Sequence, residues 1–290
     1  MSCNKKILLS IVTTIVLSMI IAAFSLEYYV QSNKYDDVVL ATINSKKMHE
    51  ERTVIIHLPE NYEQNKNKTY PVMYVLDGTS QDGHTFAKID LLSKINEFPE
   101  AIVVGIPNTS GNRSRDFTPH YMKIDLEDED SKKGNAHNFL AFIEKELVPY
   151  INSNYRTNGF QTISGHSRGG LFVLYAFIEK PELFNGYISY SPAFWREDIF
   201  IAEKTKAFLN ENKVKDKFIF MSIGDGENEK MKNGYNVIHN LLNKELHSSL
   251  NSNNIALYSQ TTTNANHGSN PYKSTIYALD KLNDYINNKY

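Results

Sequence analysis

The sequence predicts an α/β fold: a mostly parallel central sheet with helices on both faces. Three observations lead there. The runs Val72-Met73-Tyr74-Val75-Leu76 and Ala101-Ile102-Val103-Val104-Gly105 are short, continuously apolar and bounded by turn residues, and a strand apolar on both faces must be covered on both. Strand patterns then alternate with helical patterns, the order that generates parallel sheets. Finally, Gln161-Thr162-Ile163-Ser164-Gly165-His166-Ser167-Arg168-Gly169-Gly170 reads as a strand, a sharp turn and the start of a helix.

At the N-terminus, Lys5 and Lys6 precede an apolar run from Ile7 to Phe24, interrupted by Ser10, Thr13, Thr14 and Ser18. The run falls between a signal-peptide core of about 7–15 residues and a spanning helix of about 17–25. Residues 1–25 are therefore expected to be a signal peptide or an N-terminal membrane anchor. Ala22-Ala23-Phe24-Ser25 is a poor cleavage site, which favours the anchor, and Cys3 precedes the run, which argues against lipoprotein processing. The lysines belong on the cytoplasmic side. Residues 26–290 are then one folded domain outside the inner membrane, in the periplasm or cell envelope.

After a polar stretch, Arg52-Thr53-Val54-Ile55-Ile56-His57-Leu58-Pro59 alternates loosely and predicts an antiparallel strand, followed by a turn rich in Asn and Lys over residues 61–68. His57 sits among apolar neighbours and reads as structural. Beyond the two apolar runs, strands are predicted at Gln161–Ser164, Gly186–Tyr190, Lys217–Ile223 and Ile255–Gln260. Helices are predicted at Asn138–Asn152, directly after Ser167, and at Glu197–Asn210, Lys230–Leu250 and Ser274–Asn288. No internal repeat is seen.

Composition narrows the function classes. A chain of 290 residues with 41% hydrophobic and 22% charged residues can bury one large core. A formal charge of −2 gives no electrostatic reason to bind nucleic acid; a small-molecule substrate is the natural partner. Cys3 is the one cysteine, which excludes an internal disulfide and any cysteine nucleophile or cysteine-based metal site in the body of the chain.

Gly165-His166-Ser167-Arg168-Gly169 is a Gly-x-Ser-x-Gly motif between a strand and a helix. Such a turn holds its serine in a strained conformation with the hydroxyl exposed, and Gly169 and Gly170 are expected to let the helix pack close to the sheet. A serine hydroxyl needs a base to take its proton, and with this motif the order along the chain is serine, acid, histidine. His239, His247 and His267 lie downstream. The first two fall on a predicted helix, whereas His267 sits in Asn264-Ala265-Asn266-His267-Gly268-Ser269, a turn-rich loop after the last strand, where such folds carry catalytic groups. Gly224-Asp225-Gly226-Glu227-Asn228-Glu229 offers three candidate acids. Asp225 could instead cap its turn, and Glu229 has a structural reason to open the next helix.

Together these features resemble the α/β-hydrolase serine esterases of the "putative esterase" group, which includes siderophore esterases, feruloyl and acetyl-xylan esterases, S-formylglutathione hydrolases and mycolyltransferases. The resemblance runs from about Arg52 to the C-terminus. It rests on Tyr70-Pro71-Val72-Met73-Tyr74-Val75-Leu76-Asp77-Gly78, Arg113-Ser114-Arg115-Asp116-Phe117-Thr118-Pro119, Glu146-Leu147-Val148-Pro149-Tyr150, the Gly165–Gly170 elbow and Ser191-Pro192-Ala193-Phe194-Trp195. It implies an α/β-hydrolase catalytic domain with Ser167 as nucleophile, His267 as base and Glu227 as acid, with Asp225 as the alternative. It implies an oxyanion hole from the backbone N–H groups of Arg168 and Thr79. Ester hydrolysis through an acyl-enzyme is the expected activity, with siderophore-type esters as the preferred substrate. The alternatives are acyl transfer to an alcohol and hydrolysis of feruloyl or acetyl groups on polysaccharides. The chemistry calls for no metal or cofactor.

The remaining residues have simpler expected roles. Arg115-Asp116 is expected to be a structural ion pair, and Asp125, Glu127, Asp128, Glu129 and Asp130 a solvated acidic loop. Phe194 and Trp195 are expected to wall a substrate pocket. The side chains of His166 and Arg168 are expected to take no part in the acyl-transfer chemistry.

Overall fold

A computed structural model of the chain describes residue 18 and residues 38–211, 214–247 and 254–289. The expected signal or anchor lies outside the described residues, Ser18 apart. Among the described residues no helix is long and apolar enough to cross a membrane.

Eight strands form one sheet: β1 (Val38–Ser45), β2 (Glu50–His57), β3 (Tyr70–Gly78), β4 (Ile102–Pro107), β5 (Thr157–His166), β6 (Gly186–Tyr190), β7 (Lys217–Gly224) and β8 (Ile255–Thr262). Their spatial order is β1-β2-β4-β3-β5-β6-β7-β8. β2 runs antiparallel to β4, and every pairing from β4 through β3, β5, β6 and β7 to β8 is parallel. The helices are α1 (Asp82–Lys94), α2 (Arg113–Phe117), α3 (Ala136–Phe142), α4 (Val148–Asn154), α5 (Arg168–Glu179), α6 (Phe200–Glu211), α7 (Glu229–His247) and α8 (Asn270–Lys289). A π-helical segment (Ile143–Leu147) joins α3 to α4, so the predicted single helix Asn138–Asn152 is one rod with a wider turn in it.

The apolar runs behave as two-faced strands should. Along β3, Val72, Tyr74 and Leu76 enter one core with Ile163, Leu171 and Phe172. Met73 and Val75 enter a second core with Val103, Ile188 and Phe220, closed by Phe86 and Ile89 of α1 and Leu279 and Leu282 of α8. Successive side chains of a strand point to opposite faces, so one continuous apolar run supplies both cores. Strand β1 lies in the stretch read as polar; most of its residues are exposed, as befits an edge strand.

Chain order reverses at β3, whose neighbours are β4 on one side and β5 on the other. In open α/β sheets, sites form outside the carboxyl ends of the strands near such a reversal. Ser167 follows β5, Glu227 follows β7 and His267 follows β8, so three distant stretches of sequence reach one edge of the sheet.

Arg115-Asp116 is structural, as expected. Asp116 is fully buried; it accepts from Arg115 Nε at 2.7 Å and is paired with Arg52. Arg115 also reaches Glu50 at 2.8 Å, so the network ties α2 to β2. His57 is buried as well, bonded through Nε2 to Asp82 Oδ2 at 2.8 Å and stacked on Phe86.

Candidate active site

Ser167 stands between β5 and α5 with φ 59° and ψ −116°, a conformation that costs a non-glycine residue about 1–3 kcal/mol and persists only where surroundings enforce it. Here they do. Its N–H donates to Tyr190 O at 3.0 Å, and its carbonyl accepts the Ala193 N–H at 2.9 Å. The crowding falls on Gly165 more than on Gly169: a Cβ at Gly165 would lie 2.5 Å from the Gly169 backbone, whereas one at Gly169 would have ordinary contacts.

His267 Nε2 is 2.9 Å from Ser167 Oγ, and His267 Nδ1 is 2.9 Å from Glu227 Oε2. The Glu227 side chain is 0% exposed and that of His267 43%, so the carboxylate is shielded while the imidazole lines the cavity beside Ser167. Glu227 Oε1 accepts the Gly224 N–H at 3.1 Å and the Ser191 hydroxyl. Asn270 Nδ2 donates to Ser191 Oγ at 2.9 Å. Burial pushes the Glu227 carboxyl up, but the bonds from His267, Ser191 and Gly224 prevail and hold it below the ordinary range. With Nδ1–H donated to the carboxylate, His267 presents Nε2 to the serine as an acceptor, the tautomer a general base requires.

The acid loop sorts its three carboxylates. Asp225 is exposed, and its oxygens accept the N–H groups of Asn264 at 2.9 Å and Ala265 at 3.1 Å. It therefore braces the loop that carries His267. Glu229 opens α7 and is 3.5 Å from Lys232. We expect Glu227→Gln to lower kcat by up to about 10⁴, and Asp225→Asn to lower it only as far as the loop loosens. Assays at saturating ester decide this: a large loss for Asp225→Asn alone would transfer the role to Asp225.

Glu227 also makes stability depend on pH. A carboxyl whose folded pKa lies below its unfolded value of 4.5 contributes stability that is fully present above 4.5 and lost as pH falls through the folded pKa. Between about pH 6 and pH 3 the wild type should thus lose more stability than Glu227→Gln. Equal shifts of the urea midpoint in the two proteins would refute this linkage.

The oxyanion hole differs from expectation. Arg168 is the first residue of α5, and an N–H there has no intrahelical acceptor, so it is available to a developing oxyanion. Thr79 N–H donates instead to Asp82 Oδ1 at 2.7 Å. Asp82, at the head of α1 and bonded to His57, accepts the N–H that the expectation assigned to the oxyanion hole, so in this conformation Thr79 does not present it to a substrate.

Beside the triad lies a cavity of about 350 Å³, lined by Arg113, Arg168, Trp195, Arg196 and Lys230 together with Ser167 and His267. Trp195 lines this cavity. Phe194 does not: it is fully buried in the main core, against which the partly buried Trp195 packs. A larger cavity of about 470 Å³, lined by Pro71, Phe160 and Ile286, opens at the starts of β3 and β5, away from these groups. Size therefore does not identify the site; the placement of reactive groups does.

The pocket is electropositive, which the motifs did not reveal. Arg113 is neutralised by Asp77 through bonds of 2.6 and 2.8 Å. Arg168 donates to Thr118 Oγ1 and Ile124 O, both at 2.9 Å, and Arg196 donates to Lys123 O at 2.7 Å and Ile124 O at 3.0 Å. Lys230 Nζ lies 3.9 Å from the centre of the Trp195 ring. Among the described residues, Arg168, Arg196 and Lys230 make no ion pair with a carboxylate. Burial, with Arg196 and Arg113 nearby, pushes Arg168 down to about 10. The two arginines also pin the chain just before the acidic loop, where Asp125 and Asp128 accept N–H groups of their own loop.

Comparison with known proteins agrees with this geometry. The family described as "Putative esterase" matches residues 45–279. The chain is 34% identical over 174 residues to the ferri-bacillibactin esterase BesA of Bacillus subtilis, covering 55% of this chain and 60% of that one. It is 33% identical over 122 residues to a siderophore enterobactin esterase of Emericella nidulans, covering 38% of this chain and 40% of that one. The matched segments thus span about half the length of these curated relatives. An IroE-like serine hydrolase from Shewanella oneidensis superposes with a TM-score of 0.74 at 28% identity, covering 84% of this chain and 79% of that one.

Proposed function

The chain belongs to this esterase family, and from that premise we propose that it is a serine carboxylic-ester hydrolase acting on siderophore-type esters. The observation that carries the activity is the continuous line Ser167 Oγ, His267 Nε2, His267 Nδ1 and Glu227 Oε2, with 2.9 Å at both bonds. Ser167 Oγ attacks the ester carbonyl as its proton passes to His267 Nε2, and the Arg168 N–H stabilises the oxyanion. Collapse of the tetrahedral intermediate breaks the ester C–O bond, and His267 returns the proton to the departing alkoxide. Water then repeats the sequence on the acyl-enzyme and releases the acid and Ser167. Glu227 stays ionised and stabilises the imidazolium in both halves.

The substrate reading is supported by the relatives' names and by the pocket's charge. Arg168, Arg196 and Lys230, none in an ion pair among the described residues although Asp125 and Glu197 lie near the arginines, together with the half-buried Trp195, suit an aromatic polyanion, which is what a ferric catecholate complex is. Hydrolysis of a panel comprising triscatecholate lactones, feruloyl and acetyl sugars and p-nitrophenyl esters tests this, with glycerol added to reveal acyl transfer. The lactones should give the highest kcat/KM, and the advantage should shrink with added salt as the cations are screened. A preference for feruloyl or acetyl sugars would reassign the substrate.

For location, Lys5-Lys6 and the Ile7–Phe24 run support a domain outside the cytoplasm, held at the inner membrane if the segment is retained. A reporter active only outside the cytoplasm, fused after Tyr290, should be active. Silence there, with an active cytoplasmic reporter, would reverse the topology.

A further inference from the structure

His166, the residue before the nucleophile, does more than its place in the motif requires. Its Nε2 lies 2.8 Å from the backbone carbonyl oxygen of His267. A carbonyl only accepts, so this nitrogen carries the proton and His166 is the donor. The two imidazole rings lie against each other, with centroids 4.6 Å apart and planes inclined at 42°. His166 is itself fixed from behind: Arg113 Nη2 donates to its carbonyl at 3.2 Å while held by Asp77.

The other bonds of the base loop leave the peptide of His267 to this contact. Asp225 secures Asn264 and Ala265 upstream. Ser269 and Asn266 close the turn on themselves, with Asn266 N–H donating to Ser269 Oγ and Ser269 N–H to Asn266 Oδ1, both at 3.0 Å. The His166 bond instead joins the base's own carbonyl to the strand that carries the nucleophile. We propose that His166 is a positioning residue, a latch that sets the distance from His267 Nε2 to Ser167 Oγ by tying the base loop to β5.

The latch requires a neutral ring, since its neighbour must become an imidazolium in each half-reaction. Burial, and next the adjoining His267, push His166 down to about 4; among the charged groups facing it, Asp77 favours the cation and Arg113 opposes it. His166 is therefore neutral near pH 7 and adds no repulsion when His267 takes the proton.

This inference rests on the esterase reading, and one experiment on the full chain separates the two. His166→Phe keeps a ring against His267 and removes the donor; His166→Gln places an amide N–H where Nε2 stood. Hydrolysis of p-nitrophenyl butyrate and the rate of Ser167 labelling by a fluorophosphonate are measured with Tm. Since about 1 Å of misplacement can cost about 10²-fold, His166→Phe should lower kcat and the labelling rate by about tenfold to a hundredfold. KM and Tm should hardly move, and His166→Gln should recover most of the loss. A kcat for His166→Phe equal to wild type, a loss carried by KM, or no recovery in His166→Gln would overturn the latch. If His166→Phe does not fold, His166→Ala is compared with His166→Gln on the same terms. A wild type that neither hydrolyses nor labels would refute the esterase reading and the latch with it.

Discussion

Ser167→Ala is expected to abolish ester hydrolysis, lowering kcat by about 10⁶, the scale typical when a serine hydrolase loses its nucleophile. The fold should not change. Alanine keeps a Cβ at φ 59°, so the strain of the elbow is retained, and the bonds that enforce it run through the Ser167 backbone to Tyr190 and Ala193. The variant loses one hydroxyl and the 2.9 Å bond to His267, so thermal unfolding should match wild type within a few degrees. Residual kcat above a hundredth of wild type, with no contaminating activity in a fluorophosphonate gel, would mean that another group attacks the ester.

Much of this site was legible in the sequence because its parts are local. The elbow announces itself by glycine spacing between a β-branched run and an apolar helix, and the turn-rich loop around His267 by its composition. Glu227 needed the family resemblance as well, since spacing alone left Asp225 and Glu229 open; the structure separates them by burial, with Glu227 inside and Asp225 exposed. Features set by tertiary contact were not legible. Helix α1 was missed because its apolar residues Phe86, Ile89 and Leu92 are diluted by polar neighbours and its N-terminus has no side-chain cap. Asp82 could not be foreseen as the acceptor of the Thr79 N–H, because its orientation depends on His57, a strand away in the chain. Phe194 and Trp195 look equivalent in sequence, but Phe194 is wholly within the core while Trp195 packs half-buried against it. The cations of the pocket come from four separate segments, at Arg113, Arg168, Arg196 and Lys230, so no stretch of sequence reads as basic. His166 likewise looked like a free position of the motif, since its partner is a backbone carbonyl that leaves no side-chain signature.

His267→Ala is expected to cost nearly as much as loss of the nucleophile, about 10⁶ in kcat, because the two residues act as a unit and removing either disables both. Without the imidazole, Ser167 Oγ keeps its proton, and Glu227 is left as a buried carboxylate bonded to Ser191 and the Gly224 N–H but without its aromatic partner. The variant should therefore lose some stability as well, and more at neutral pH, where the carboxylate is charged, than near its pKa. His239 is the internal control. Its Nε2 lies 3.0 Å from Ser259 Oγ, which ties α7 to β8, and its ring stacks on Tyr235 of the same helix with planes 6° apart. His239→Ala should lower Tm while leaving kcat within a few-fold of wild type. Measured side by side under saturating ester, equal losses of kcat in the two variants would show that disruption of structure, and not removal of the base, explains the loss at His267.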